Sequence, residues 1–166
     1  MFATRSILLS LGLFLCTIAA MMLLPAIVDL ADRNPDWKVF AASALLCFFI
    51  GSLLILFASD DRPATLDTKS GFLLTTLTWV VVTAFCAVPF IGVGLSYTDA
   101  YFETMSGLTT TGSTVLVKLD TLPRGVLLWR SILQGIGGLG IIVTAIIMLP
   151  FLRIGGAQLF QTESSD

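Results

Sequence analysis

Thr98-Asp99-Ala100-Tyr101-Phe102-Glu103-Thr104-Met105-Ser106-Gly107-Leu108 runs directly into Thr109-Thr110-Thr111-Gly112-Ser113-Thr114. The first of these strings can form about three turns of helix. Thr98 or Asp99 can cap its start, and Asp99 and Glu103 suit its partially positive N-terminal end. A bilayer-spanning helix needs about 20 apolar residues, so this one is far too short to cross. The second string holds five hydroxyl side chains and one glycine.

What flanks these strings gives them meaning. Upstream lies a long apolar run, 71–95, carrying Thr75, Thr76, Thr78 and Thr83 and closing at Pro89, Gly92 and Gly94. Downstream lies another, 125–152, interrupted near its start by Arg130 and Gln134. A short apolar helix between two full spans is a candidate for a segment that enters the membrane and returns. Irregular backbone at membrane depth is tolerated only where protein buries it or where it lines a watery path. Gly112 can adopt positive φ without penalty, so successive carbonyls can turn to the same side. A ring of carbonyls can replace the hydration shell of K⁺, and the negative C-terminal end of the short helix favours a cation. From composition alone, a threonine-rich polar loop outside the membrane is the simpler alternative. The order helix, half-helix, loop, helix argues for the pore loop.

Two more apolar runs precede this unit. The run 7–31 is longer than the roughly 7–15 residues of a secretory signal core. It reads as a retained helix, kinked or ended near Pro25. After Asp32-Arg33-Asn34-Pro35-Asp36, Trp37 and Lys38 look like an interfacial anchor. The run 39–58 carries no charge and is just long enough to cross. It is closed by the polar linker Ser59-Asp60-Asp61-Arg62-Pro63, which continues through Asp67 and Lys69.

Composition agrees with four spans. Hydrophobic residues make up 56% of the 166, and charged residues 12%. A soluble domain carries roughly 45–50% and about 25%. Soluble, disordered and collagenous classes are therefore excluded. Nine Lys and Arg against eleven Asp and Glu leave no polybasic patch for nucleic acid. There is no histidine, which removes Ser-His-Asp triads, His-based zinc sites and His-ligated haem. Cys16, Cys47 and Cys86 each sit alone in an apolar run and read as buried thiols. Gly135-Ile136-Gly137-Gly138-Leu139-Gly140 formally satisfies GxGxxG, but no strand precedes it, and helix packing through small residues explains it better. Gly107 and Gly112-Ser113 have phosphate-loop glycine spacing without the lysine. Asp99 and Glu103 read as helix-start charges near an external vestibule, with a mild pull on cations. Asp120, Arg124 and Arg130 read as loop and interface charges, with Arg130 free to snorkel or to pair with an acidic loop residue.

The string Met105-Ser106-Gly107-Leu108-Thr109-Thr110-Thr111-Gly112-Ser113-Thr114-Val115-Leu116 resembles the first pore loop of the TrkH family of potassium-uptake proteins. The resemblance continues through Leu128-Trp129-Arg130-Ser131-Ile132-Leu133-Gln134-Gly135-Ile136-Gly137-Gly138-Leu139-Gly140-Ile141-Ile142-Val143. It extends to Leu149-Pro150 and Gly155-Gly156-Ala157-Gln158-Leu159-Phe160. It covers Gly71 to the C-terminus closely, while the first two spans fit the family's leading helix pair by position. Gly135 departs from the aromatic residue usual after Gln134.

The resemblance implies an all-α integral membrane protein: four transmembrane helices plus a re-entrant half-helix and filter loop. Residues 1–70 would be the two leading helices and linker. Residues 71–154 would be the helix–pore-loop–helix unit, with a pore helix near 98–108 and a filter loop at 109–114. Residues 155–166 would be a polar tail opening a linker toward further repeats. Family members carry four such repeats around one pore, and this chain carries one. The pore-obstructing basic side chain of the last repeat and the gating loop of the third are not in it. The resemblance assigns the K⁺ ligands to the main-chain carbonyls of Thr110, Thr111, Gly112 and Ser113. It implies potassium transport across a bacterial inner membrane, no enzyme activity and no cofactor, with K⁺ as the transported ion. The partners it implies are membrane lipid, the remaining repeats or other copies, and a cytoplasmic nucleotide-binding ring of the TrkA type, but no nucleic acid. Two alternatives stay open: a homotetrameric cation channel, or a non-conducting assembly protein or truncated remnant. Family topology puts both termini in the cytoplasm. Arg5, Arg62, Lys69 and Arg153 then lie inside, against Arg33, Lys38, Lys118, Arg124 and Arg130 outside; four against five does not support the positive-inside rule, so the orientation rests on the resemblance.

Overall fold

The computed structural model describes residues 2–59 and 68–163; the expected linker residues 60–67 lie outside them. Among the described residues the regular structure is entirely helical. The order is α1 (Phe2–Ala31), α2 (Trp37–Ala58), α3 (Thr68–Cys86), α4 (Val88–Gly92), α5 (Tyr97–Leu108), a 3₁₀ turn (Leu119–Thr121) and α6 (Arg124–Glu163). Among these residues, four segments are long and apolar enough to cross a membrane: Thr4–Ala31, Trp37–Ala58, Lys69–Gly92 and Arg124–Ile146.

The leading pair packs backbone to backbone. A side chain at Gly12 would come within 2.8 Å of the Gly51 carbonyl, and one at Gly51 within 2.8 Å of the Gly12 carbonyl. Small residues at a crossing let helix axes approach closely in lipid, where no hydrophobic force drives association. α1 does not end at Pro25. The proline is fully buried inside the helix, which continues to Ala31. Neighbouring helices hold the turn that the missing N–H weakens. The helix closes with Arg33 at φ 56°, Arg33 N–H donating to Leu30 O and Asn34 N–H to Asp29 O, a left-handed cap without the usual glycine.

The third span is interrupted. α3 ends at Cys86 and α4 starts at Val88, because Pro89 cannot donate to the carbonyl of Phe85. The Phe90 N–H turns to Ala87 instead, at 3.0 Å. That leaves the Cys86 carbonyl to the indole N–H of Trp129, at 3.1 Å. Trp129 is fully buried and meets the ring of Phe40 edge-on, with centroids 6.4 Å apart. One residue of α6 thereby joins α2 to the break in the third span.

α6 starts against α1. The buried Asp29 accepts the Gly125 N–H at 2.7 Å through Oδ1, while Oδ2 has no hydrogen-bond partner among the described residues. A side chain at Gly125 would collide with that carboxylate. A carboxylate at the positive end of a helix is well placed electrostatically. α6 continues as helix to Glu163, so residues 155–163, expected as a polar tail, are helical through Gly155-Gly156.

Candidate functional site

The short helix α5 has 12 residues, a length of about 18 Å, too short to cross a hydrocarbon core of roughly 30 Å. Its cap is Ser96, not Thr98 or Asp99 as expected. Ser96 Oγ accepts the Asp99 N–H at 3.2 Å and donates to Asp99 Oδ2 at 2.7 Å. Asp99 is the exposed reciprocal member of that cap, a helix-start charge as read. Ala100, Glu103, Thr104, Ser106, Gly107 and Leu108 are buried, where α5 packs on α3 and α6.

α5 ends in a left-handed residue that is not glycine. Thr110 has φ 57°, with its N–H bonded to Gly107 O (3.0 Å) and the Thr111 N–H to Ser106 O (3.0 Å). A β-branched residue is rarely found there, at a cost of about 1–2 kcal/mol. Such strain persists only where surrounding structure over-determines it. Gly112 follows at φ 80°, so left-handed residues alternate with ordinary ones across the loop. Thr110, Thr111, Gly112 and Ser113 form one continuous exposed segment at the C-terminal end of α5.

Their four carbonyls are not equivalent. Ser113 O accepts from Ser106 Oγ at 2.6 Å, and Gly112 O from Arg130 Nη2 at 3.2 Å. The carbonyls of Thr110 and Thr111 accept no hydrogen bond from the described residues. Thr109 Oγ1 lies 2.8 Å from Thr111 Oγ1 and also bonds Met105 O, so those hydroxyls brace the turn.

Glu103 overturns its reading as a vestibule charge. It is fully buried, 2.5 Å from Arg130 Nε through Oε1. Thr114 Oγ1 donates to its carboxylate at 2.9–3.0 Å, and the Val115 N–H reaches Oε2 at 2.9 Å. Arg130 is thus no lipid-interface charge; its partner is in α5 rather than in a loop. The sequence signal was two opposite charges inside segments at membrane depth, where each is expensive alone and a partner is the default expectation. Arg124, by contrast, sits 3.5 Å from Asp32 in an exposed pair.

The glycine string of α6 packs as a surface for the loop. A side chain at Gly137 would collide with the backbone carbonyl of Leu108, and one at Gly138 would touch the Thr110 methyl at 3.7 Å. Gly135 and Gly140 face open space. The small residues serve the end of a half-helix rather than a crossing of two spans.

A family model described as a cation transport protein of the TrkH type matches residues 37–166. The potassium-uptake protein TrkI of Halomonas elongata is 41% identical over 151 residues, covering 90% of this chain and 30% of the relative. TrkH of Vibrio parahaemolyticus is 40% identical over 162 residues, covering 96% and 33%. The crystal structure of the potassium transporter TrkH from that organism superposes with a TM-score of 0.83, covering 92% of this chain and 33% of the other. The chain spans about a third of the length of the curated relatives it matches. The likeness includes the leading helix pair, which the motifs alone left to position.

Proposed function

The chain belongs to the TrkH family of cation transport proteins, a family of transporters rather than enzymes, and on that premise we propose that residues 110–113 supply one quarter of a carbonyl-lined K⁺ filter. The observation that carries this reading is the accounting of carbonyls. An exposed loop at the negative end of a half-helix offers unpaired oxygens at Thr110 and Thr111, while protein donors fix those of Gly112 and Ser113.

The chemistry is coordination. A K⁺ ion entering the loop exchanges water for backbone oxygens held at fixed spacing, and passes down its electrochemical gradient. A carbonyl has two lone pairs, so Gly112 and Ser113 keep one each for the ion. The C-terminal dipole of α5 adds a favourable field. Glu103 and Arg130 cancel each other, so the loop gains no net charge from them. The relatives are about three times as long as the matching segment, which leaves chain to complete a ring. We assign the protein to the bacterial inner membrane with both termini cytoplasmic. With Arg130 ion-paired inside the protein, the charge count on that topology becomes even. A TrkA-type cytoplasmic ring would be the regulatory partner of the whole transporter.

The test is Gly112→Ser in a complete transporter whose N-terminal third is this chain. At φ 80° a side chain strains the backbone, so the carbonyl should turn and K⁺/Na⁺ preference should fall. Unchanged K⁺ uptake with unchanged preference would sink the assignment.

A further inference from the structure

We infer that Glu103 and Arg130 are positioning residues for ion selection, acting through separable parts: a backbone tether and a charge balance. The inference rests on the filter reading above and deepens it. Arg130 reaches two ways, with Nε on Glu103 and Nη2 on the Gly112 carbonyl. Glu103 holds the outgoing strand at Thr114 Oγ1 and the Val115 N–H. The loop is therefore pinned on both sides of Ser113 by one ion pair, with Glu103 wholly out of water and the Arg130 side chain 21% exposed. The planar guanidinium fork suits two acceptors at fixed angles, as an ammonium does not.

The tether sets where the Gly112 oxygen points. A cation bound by that oxygen lies one atom away from the guanidinium. The charge balance decides whether a cation tolerates that neighbour. With Glu103 present the pair is neutral. With Glu103 neutralised, an unscreened positive charge faces the filter in a site of low effective dielectric.

The two parts have different signatures in a transporter in which this chain supplies the matching third of the Vibrio relative, expressed in cells lacking other K⁺ uptake. Glu103→Gln should raise the K⁺ concentration for half-maximal uptake on the order of tenfold, because the lone guanidinium repels the ion. Arg130→Gln should leave that concentration unchanged or lower, and should cut K⁺/Na⁺ discrimination on the order of tenfold, because the Gly112 oxygen is freed. Arg130→Lys keeps the charge without the fork, so it should lose discrimination while holding the half-saturation concentration near wild type. The double variant E103Q/R130Q should recover half-saturation and not discrimination.

A buried ion pair replaced on both sides by neutral groups is commonly tolerated, so the double variant and Arg130→Lys carry the test if a single variant fails to accumulate. Recovery of half-saturation without discrimination in the double variant supports the inference. Parallel loss of both quantities in all variants, tracking the amount of protein in the membrane, overturns it. Gly112→Ser in the same host reports on the filter separately. Lost preference there, with parallel behaviour of the Glu103 and Arg130 variants, would overturn only the positioning role.

Discussion

Replacing single glycines of Gly135-Ile136-Gly137-Gly138-Leu139-Gly140 by alanine should give opposite signs within one turn or two of helix. In a helix interior, alanine is favoured over glycine by about 1 kcal/mol. Gly135 and Gly140 have nothing within 4 Å of a new methyl group, so each substitution should stabilise by up to about 1 kcal/mol. Gly137→Ala gains the same propensity but must displace the Leu108 carbonyl, which is backbone and has no rotamer to yield. Overpacking costs about 1–3 kcal/mol, and the upper half of that range applies where the obstacle is rigid. The net effect should be destabilisation by about 1–2 kcal/mol, leaving Gly137→Ala roughly 2–3 kcal/mol below the other two. For a chain of this size that separation is about 4–12 °C in Tm. Thermal unfolding in detergent, followed by the fluorescence of the three tryptophans, reads it directly. Equal shifts at all three positions, or a Gly137→Ala protein as stable as wild type, would refute the claim that α6 touches the end of α5 at Gly137.

Trp129→Phe should keep the edge contact with Phe40 and strand the Cys86 carbonyl, lowering stability by about 1–3 kcal/mol in the same melt. Ser96→Ala should cost about 1 kcal/mol and speed amide exchange at Asp99, while Ser96→Thr should restore both, since its hydroxyl can accept from the Asp99 N–H and donate to the Asp99 carboxylate. Arg124→Gln should change Tm little, within about 0.5 kcal/mol, because its pair with Asp32 is exposed. A large effect there would mean that α6 depends on that contact for its start.

Four spans and one half-helix are legible in the sequence because lipid leaves few options. An uncharged run long enough to cross and one that reaches only partway have different fates. The composition of 110–113 fits a polar loop outside the membrane as well; it is the order of helix, half-helix, loop and helix that singles the segment out, at the C-terminal end of α5. The cap is harder to read, since Ser96 looks like loop until Asp99 is seen to answer it. Pro25 and Pro89 look alike in sequence and behave differently. The first is buried by neighbours that hold its helix together, whereas the second has Trp129 to take the carbonyl its break releases. Glu103 misleads because proximity to a helix start explains its charge too readily. Its partner lies 27 residues on, and such a distance has no period to detect.

Asp29 sets an order of events. Among the described residues, the one hydrogen-bonding partner of its carboxylate, the Gly125 N–H, lies 96 residues further along the chain. At about 5–20 residues per second, a ribosome makes that partner roughly 5–20 s after Asp29 itself. For that interval the carboxylate lacks the Gly125 N–H that it accepts in the folded unit. Its position close to the end of α1 lets it wait among headgroups. Once α6 is in place, its first turn supplies the Gly125 N–H to that carboxylate. The contact that joins the start of α6 to the end of α1 can therefore form only after the intervening helices have been made.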